Sequence, residues 1–253
     1  MLCRYNRAMK IIMSPSKTMN LEAQTIPASS TSFTDAHLTL KLLKALSKTT
    51  KKELSSVMKI EKDLLNETYH LYHSFDPNHP QIPALHLYTG LAFRSLELDD
   101  YTPTECAYLE SHLRILSALY GVLSPMTGIW PYRLDFTHHF KTFNPAHLWK
   151  NKIPQIFKDE DLIFNLASEE FSLFLKPLED KLHTIQFMEL IHGKEKTVSA
   201  NSKKARGRLA HLMIKHQIMT IETLRELDLD PYVLQRNRSN EHLSLYLKQT
   251  KSD

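Results

Sequence analysis

The sequence predicts a mixed α/β domain, a single compact unit in which a mixed sheet is wrapped by helices. Two observations carry that class. Short apolar runs rich in β-branched residues, Lys10–Met13 and Leu162–Leu166, end in polar turns and read as buried strands. Between them lie segments with apolar residues at helical spacing behind good N-caps, without the regular alternation of a βαβ array. A third observation makes it one domain of 253 residues: the 12 prolines are scattered, no Gly/Ser-rich stretch divides the chain, and no fixed-period repeat is visible. Residues 1–8 precede Met9 and read as an N-terminal extension, leaving 9–253 as the domain.

Taken in order, Lys10–Met13 is a strand running into the polar loop Ser14–Thr18. Residues 35–47 space Leu38, Leu42, Ala45 and Leu46 as a helix capped by Thr34 or Asp35. Thr50–Glu53 has the form of a capping box, in which hydroxyl and carboxylate each bond an exposed amide, and opens a helix to Met58. A second helical face follows from Leu64 to Tyr72. Leu85–Tyr88 reads as a strand. Thr102-Pro103-Thr104-Glu105 is the clearest helix start, and apolar residues from Cys106 to Tyr120 extend that helix to a stop at Gly121. Asn144-Pro145 starts a helix interrupted at Pro154. Thr184–Ile191 and Thr197–Ala200 read as a hairpin around Gly193, and Ser202–His216 as a basic amphipathic helix.

Charge is uneven although the formal net charge is only +4. Between Lys41 and Lys62 stand seven lysines against Glu53 and Glu61. Ser199–Ile221 carries Lys203, Lys204, Arg206, Arg208 and Lys215 with no acid, while Glu97–Glu110 carries five acids and no base. Two basic segments on a near-neutral chain fit a polyanion partner or two solvated helix faces. The cations at 203–208 crowd the start of a helix, where the dipole favours anions, which makes sense if an anion is held there.

The Ser14–Thr18 loop offers hydroxyls, Lys17 and free amides directly after a strand, a common phosphate cradle, or else a turn with a surface lysine. It lacks the glycines of a nucleoside triphosphate loop. Arg133, beside Tyr132 and Trp130, can stack and fork onto a phosphate, or pair with Asp135. Asn165, Ser168 and Glu169 close a strand end, a usual place for ligand contacts, where Ser168 could equally cap a helix. Two distant cysteines, Cys3 and Cys106, and histidines without matching acids predict no disulfide framework, no metal and no cofactor. No Gly-x-Ser-x-Gly elbow is present. Short apolar runs and the absence of a secretory pattern in residues 1–8 predict no membrane span and a cytoplasmic location.

Six segments in one order resemble a known family: Ser-Pro-Ser-Lys-Thr (14–18), Tyr-Thr-Gly-Leu (88–91), His-Leu-Arg-Ile-Leu-Ser-Ala-Leu-Tyr-Gly-Val-Leu (112–123), Pro-Tyr-Arg-Leu (131–134), Asn-Leu-Ala-Ser-Glu-Glu (165–170) and Lys-Lys-Ala-Arg-Gly (203–207). Over Met9 to Lys248 the chain is similar to the YaaA peroxide stress proteins. That resemblance implies one α/β domain of unusual topology with a basic cleft, DNA binding, and limitation of intracellular iron and DNA oxidation under hydrogen peroxide. It also implies a helix-hairpin-helix element, best placed at Lys51–Phe75 with the hairpin at Met58–Glu61. Departures are Ser16 for an alanine, Ser124, Met126 and Thr127 where the family tends to have arginine, leucine and aspartate, Glu61 for a serine, and Pro231 for a glycine.

The expectation is a DNA-binding stress protein, monomeric, gripping mainly phosphates through Lys51, Lys52, Lys59, Lys62, Lys203, Lys204, Arg206 and Arg208. The competing expectation is an enzyme or small-molecule binder. In it Ser14, Lys17, Thr18, Tyr88, Tyr132, Arg133, Asn165 and Ser168, joined by Lys204 and Arg206, form a pocket for a phosphate-bearing ligand.

Overall fold

A strand as apolar as Met9–Met13 needs cover on both faces, and only the middle of a sheet provides it. The computed structural model, which describes residues 8–26 and 33–248, places it there. In chain order the elements are β1 (Met9–Met13), α1 (Ala36–Leu46), α2 (Lys51–Met58), α3 (Lys62–His73), β2 (Ile82–Pro83), α4 (Ala84–Leu87), α5 (Leu91–Arg94), α6 (Pro103–His112), β3 (Leu113–Ser117), β4 (Gly121–Leu123) and β5 (Gly128–Ile129). There follow α7 (Pro145–Trp149), α8 (Lys152–Ile156), β6 (Leu162–Asn165), α9 (Glu169–Ser172), β7 (Leu182–Ile191), β8 (Lys194–Lys196), α10 (Ser199–Lys215), α11 (Ile221–Leu224), β9 (Tyr232–Leu234) and β10 (Leu243–Lys248).

The main sheet has the order β4-β3-β1-β6-β7-β10-β9, with β8 paired to β7. Its centre is parallel: β1 pairs with β3 and β6, β6 with β7, and β7 with β10. Antiparallel pairs β3–β4, β9–β10 and β7–β8 finish it. This is the mixed α/β fold expected, in one compact unit around a single apolar core. Because β1 and β6 are parallel and in register (Ile12 opposite Asn165), the loops after their C-terminal ends leave the sheet side by side. That topology brings residues 14–18 to residues 166–170, and open parallel sheets commonly bind ligands at such an edge.

Local signals held at several places. Asp35 accepts from Leu38 N and caps α1. Thr102 and Glu105 form the full capping box of α6. His192 and Gly193, at φ of 50° and 72°, make the two-residue turn between β7 and β8. At Thr50 only half of the box forms: the hydroxyl accepts from Glu53 N, while the Glu53 carboxylate accepts from Lys141 N instead.

Four sequence expectations are corrected. The long helix after Thr102 ends at His112, and residues 113–117 become β3, because pairing Leu113 and Ile115 with Ile11 and Met13 buries them in the sheet. Leu85–Tyr88 is largely helical; Pro83 opens the turn and Tyr88 N closes it on the Ala84 carbonyl. The hairpin's second strand is Lys194–Lys196, since the chain enters α10 at Ser199. The break near residue 150 falls at Lys150-Asn151; Pro154 sits in the first turn of α8, where its missing N–H costs nothing. Helices α2 and α3 pack together across a turn in which Lys59 and Lys62 both hold positive φ and Ile60 is buried. This is a helix pair with a tight connection. The expected extension lies outside the described residues except for Ala8, whose carbonyl accepts from Asp161 N.

Candidate functional site

The site begins with the neighbouring strand ends of β1 and β6. Ser14 accepts a bond from Ser168 N at 2.8 Å, and the two hydroxyls lie 3.1 Å apart. Ser16 and Thr18 then close a small hydroxyl turn, with Thr18 N donating to Ser16 Oγ at 3.1 Å. Main-chain bonds between residues 18–20 and 87–89 fix the far side of the loop. Gly90 leaves room for it, since a Cβ there would stand 2.4 Å from Ser16 Oγ.

A third wall is the segment Trp130–His138, held from beneath by buried tyrosines. Tyr72 OH donates to the Arg133 carbonyl (2.6 Å) and accepts from Arg133 N (2.9 Å). Tyr120 OH donates to the Trp130 carbonyl at 2.8 Å. Tyr132 OH lies 2.8 Å from both Tyr88 OH and Ser117 Oγ. Burial drives the Tyr132 hydroxyl up to about 12, so these phenols stay protonated and act as hydrogen-bond struts. The fourth wall is α10, pressed against α5 at Gly207, where a Cβ would lie 2.0 Å from the Ala92 carbonyl oxygen. Only glycine allows that approach.

Together these walls enclose a cavity of about 350 Å³. Four cationic side chains line it, Lys17, Arg133, Lys203 and Arg206, against two carboxylates, Asp135 and Glu170. Asp135 is 2% exposed; its Oδ2 meets Lys17 Nζ at 2.9 Å, and no described donor reaches Oδ1. Arg133 therefore does not take Asp135 as its ion-pair partner; Lys17 does. His138 Nδ1 accepts from Asp135 N at 3.1 Å, and burial pushes its pKa down to about 4. The neutral ring must then carry its proton on Nε2, so His138 is a hydrogen-bond donor there. Glu170 stands at the mouth, open to water on one side. Partial burial, then the Asp135 charge, raises its pKa, while Lys17 and Lys203 oppose the rise. Arg206 Nε is buried with no described acceptor, and burial lowers the pKa of its guanidinium.

The residues expected in a pocket divide accordingly. Ser14, Lys17, Thr18, Tyr132, Arg133 and Ser168 line the cavity. Tyr88 and Asn165 stand behind the wall: Tyr88 supports Tyr132, and Asn165 bonds Thr184 Oγ1 and Ala167 N. The basic run of α10 splits between two faces. Lys203 and Arg206, three apart, face the cavity, whereas Lys204 and Arg208, four apart, line a separate groove of about 580 Å³ with Lys248, Glu97 and Asp230. Arg208 donates to the Asp230 carbonyl there. Lys52, Lys59 and Lys62 are exposed, while Lys51 donates to Asn66 at 2.8 Å and lies over the Tyr69 ring. His138, Glu170 and Tyr72 were missed by sequence reasoning, and Asp135 entered it only as a possible partner of Arg133. Glu170 sits inside the Asn165–Glu170 motif, a signal that could have found it.

Every motif segment but one touches this cavity; residues 112–123 instead run from the end of α6 through β3 and its turn to β4, and support Tyr132 through Ser117. A family model described as peroxide stress protein YaaA matches residues 9–238. The chain belongs to that family. Curated relatives carry the name UPF0246 protein. The one from Fusobacterium nucleatum is 35% identical over 241 residues, 92% of this chain and 96% of the relative. Those from Finegoldia magna and Pediococcus pentosaceus are 33% and 31% identical, across 97% and 95% of this chain and 100% and 98% of their own. In this YaaA family member, no three His, Cys, Asp or Glu side chains among the described residues gather as metal ligands. No described helix is long and apolar enough to cross a membrane.

Proposed function

We propose that this YaaA family member binds DNA through its phosphates and thereby serves peroxide defence in the cytoplasm, limiting DNA oxidation and free intracellular iron. The observation that carries the reading is the convergence of Lys17, Arg133, Lys203 and Arg206, from three distant parts of the chain, on one cavity with only two opposing carboxylates. Paired cations at that spacing suit phosphate oxygens, and no major-groove reading motif accompanies them. Met58, at the end of α2, lines the same cavity, and in this reading the exposed lysines Lys52, Lys59 and Lys62 of the α2–α3 pair supply further phosphate contacts. The start of α3 adds amides that no side chain caps, as a helix-hairpin-helix contact with a phosphate would require.

A second reading, a small phosphate-bearing ligand or substrate, is favoured by one specific feature. The cavity collects titratable groups, Glu170 and His138, whose proton affinities are shifted by burial, and such groups cluster at functional sites.

The test is duplex binding across salt concentrations, with random-sequence and bubble-containing DNA. Log affinity should fall against log salt by about 0.9 per phosphate contacted. Lys203→Glu/Arg206→Glu should weaken binding and flatten that slope; Lys52→Glu/Lys59→Glu should do the same to a lesser degree. A flat salt response in the wild-type protein, or no binding at low salt, refutes the DNA reading.

A further inference from the structure

Two residues that line the cavity each hold a buried atom without a partner among the described residues, and the two are of opposite polarity: Asp135 Oδ1, an acceptor, and Arg206 Nε, a donor. Each would cost free energy if left unpaired, because burial strips its hydration. A phosphate alone answers only one of them. It satisfies Arg206, but its oxygens repel Asp135. The carboxylate asks for an N–H or O–H on the same ligand, at some distance from the anionic group.

The remaining wall narrows the class. Leu91, Phe93, Leu134, Leu166 and Phe171 present an apolar surface to the same space. A sugar phosphate would leave that surface wet. A nucleobase would cover it with a flat apolar face while offering an edge N–H. The cavity of about 350 Å³ is at the small end of ligand pockets, so its interior suits one small unit, while a duplex would meet it only at its opening.

We infer that the cavity takes a single nucleotide unit, its phosphate on Arg206 and Lys203 and a base or sugar donor on Asp135. This rests on the reading of the cleft as phosphate-binding and adds Asp135 as the residue that selects what carries the phosphate. The unit is a free nucleoside monophosphate or one extruded from a strand; the chemistry is shared. Lys17 belongs to the same device: its ion pair holds Asp135 Oδ2, leaving Oδ1 to the ligand. His138, whose Nδ1 accepts a hydrogen bond from the Asp135 amide, fixes the carboxylate's own backbone.

The experiment is calorimetric titration with inorganic phosphate, ribose 5-phosphate, the four nucleoside 5′-monophosphates and the unphosphorylated nucleosides. Wild-type protein should prefer at least one monophosphate over ribose 5-phosphate. Asp135→Asn should weaken that monophosphate by roughly 10- to 150-fold, the loss expected for a charge-assisted hydrogen bond. The same variant should bind inorganic phosphate as well as or better than wild type, because a repelling charge is gone. Arg206→Gln should weaken both ligands. This crossed response is not produced by a merely structural defect, and Arg206→Gln with the wild-type ligand series keeps the test open if Asp135→Asn does not fold. For the strand-borne source, DNA with one unpaired nucleotide replaces the monophosphate: Asp135→Asn should weaken it and spare fully paired duplex. Parallel loss of phosphate and nucleotide, or no effect of Asp135→Asn on either nucleotide source, overturns the inference. Steep salt-dependent duplex binding would survive that outcome, so the two readings fail separately.

Discussion

Replacing Gly207 by alanine adds one methyl group where α10 crosses α5. In the middle of an exposed helix this change stabilises by about 1 kcal/mol, because alanine loses less backbone freedom. Here the new Cβ would lie 2.0 Å from the Ala92 carbonyl oxygen and 2.8 Å from its carbon. Ordinary contact needs about 3.5 Å, so the two backbones must part by roughly 1.5 Å. The obstacle is main chain and cannot rotate away. Overpacking costs about 1–3 kcal/mol, and the upper end applies to a clash with backbone. Subtracting the propensity gain leaves a net loss of about 2 kcal/mol, or about 4–8 °C in Tm for a chain of this size. A thermal melt followed by circular dichroism measures it. Because α10 carries Lys203 and Arg206 into the cavity, DNA affinity at constant salt should fall as well. The control is Gly193→Asn: nothing lies within 4 Å of that position, and asparagine tolerates its left-handed φ of +72°. Its only cost is the strain of that backbone conformation, about 1 kcal/mol or 2–4 °C, smaller than the loss at Gly207. A Gly207→Ala protein that melts at or above the wild-type temperature would refute the close-approach argument.

Other outcomes follow from single contacts. Tyr72→Phe removes both bonds to the Arg133 main chain and leaves a buried N–H and C=O unpaired, so stability should drop by about 1–3 kcal/mol in denaturant titration. Thr102→Ala deletes the α6 cap and should cost about 0.5–2 kcal/mol by the same measurement. DNA affinity should rise as pH is lowered from neutrality toward the raised pKa of Glu170, since protonation removes a charge that repels phosphate. Its neighbours Asp135, Lys17 and Lys203 act on it from the facing walls, and His138 stays neutral through that range. Glu170→Gln should flatten this pH profile, and an unchanged profile sinks the assignment. Elemental analysis after gentle purification should find no stoichiometric iron or zinc; a metal bound one to one would overturn the expectation of an indirect effect on iron.

What the chain encodes locally, it encodes clearly. The α1 cap at Asp35, the box at Thr102–Glu105, the turn at His192-Gly193 and the buried strand β1 each depend on residues within a few positions, so sequence reasoning reached them. The mixed sheet and single domain followed from the same patterns. The segment 113–117 shows where locality ends: its apolar spacing suits a helix continuing α6, yet β1 offers a backbone ladder and a dry interface, and the strand forms. The site depends still more on distance. Ser14 meets Ser168 because β1 and β6 are parallel neighbours, which no spacing in the sequence reveals. Lys17 chose Asp135, leaving Arg133 free of it, and one turn of α10 divided Lys203 and Arg206 from Lys204 and Arg208. The sequence by itself determined the residue types for holding phosphate. Only the tertiary structure decided which of them share a cavity, because side-chain partners across a sheet edge are set by strand order and register, and these minimise the free energy of the whole chain.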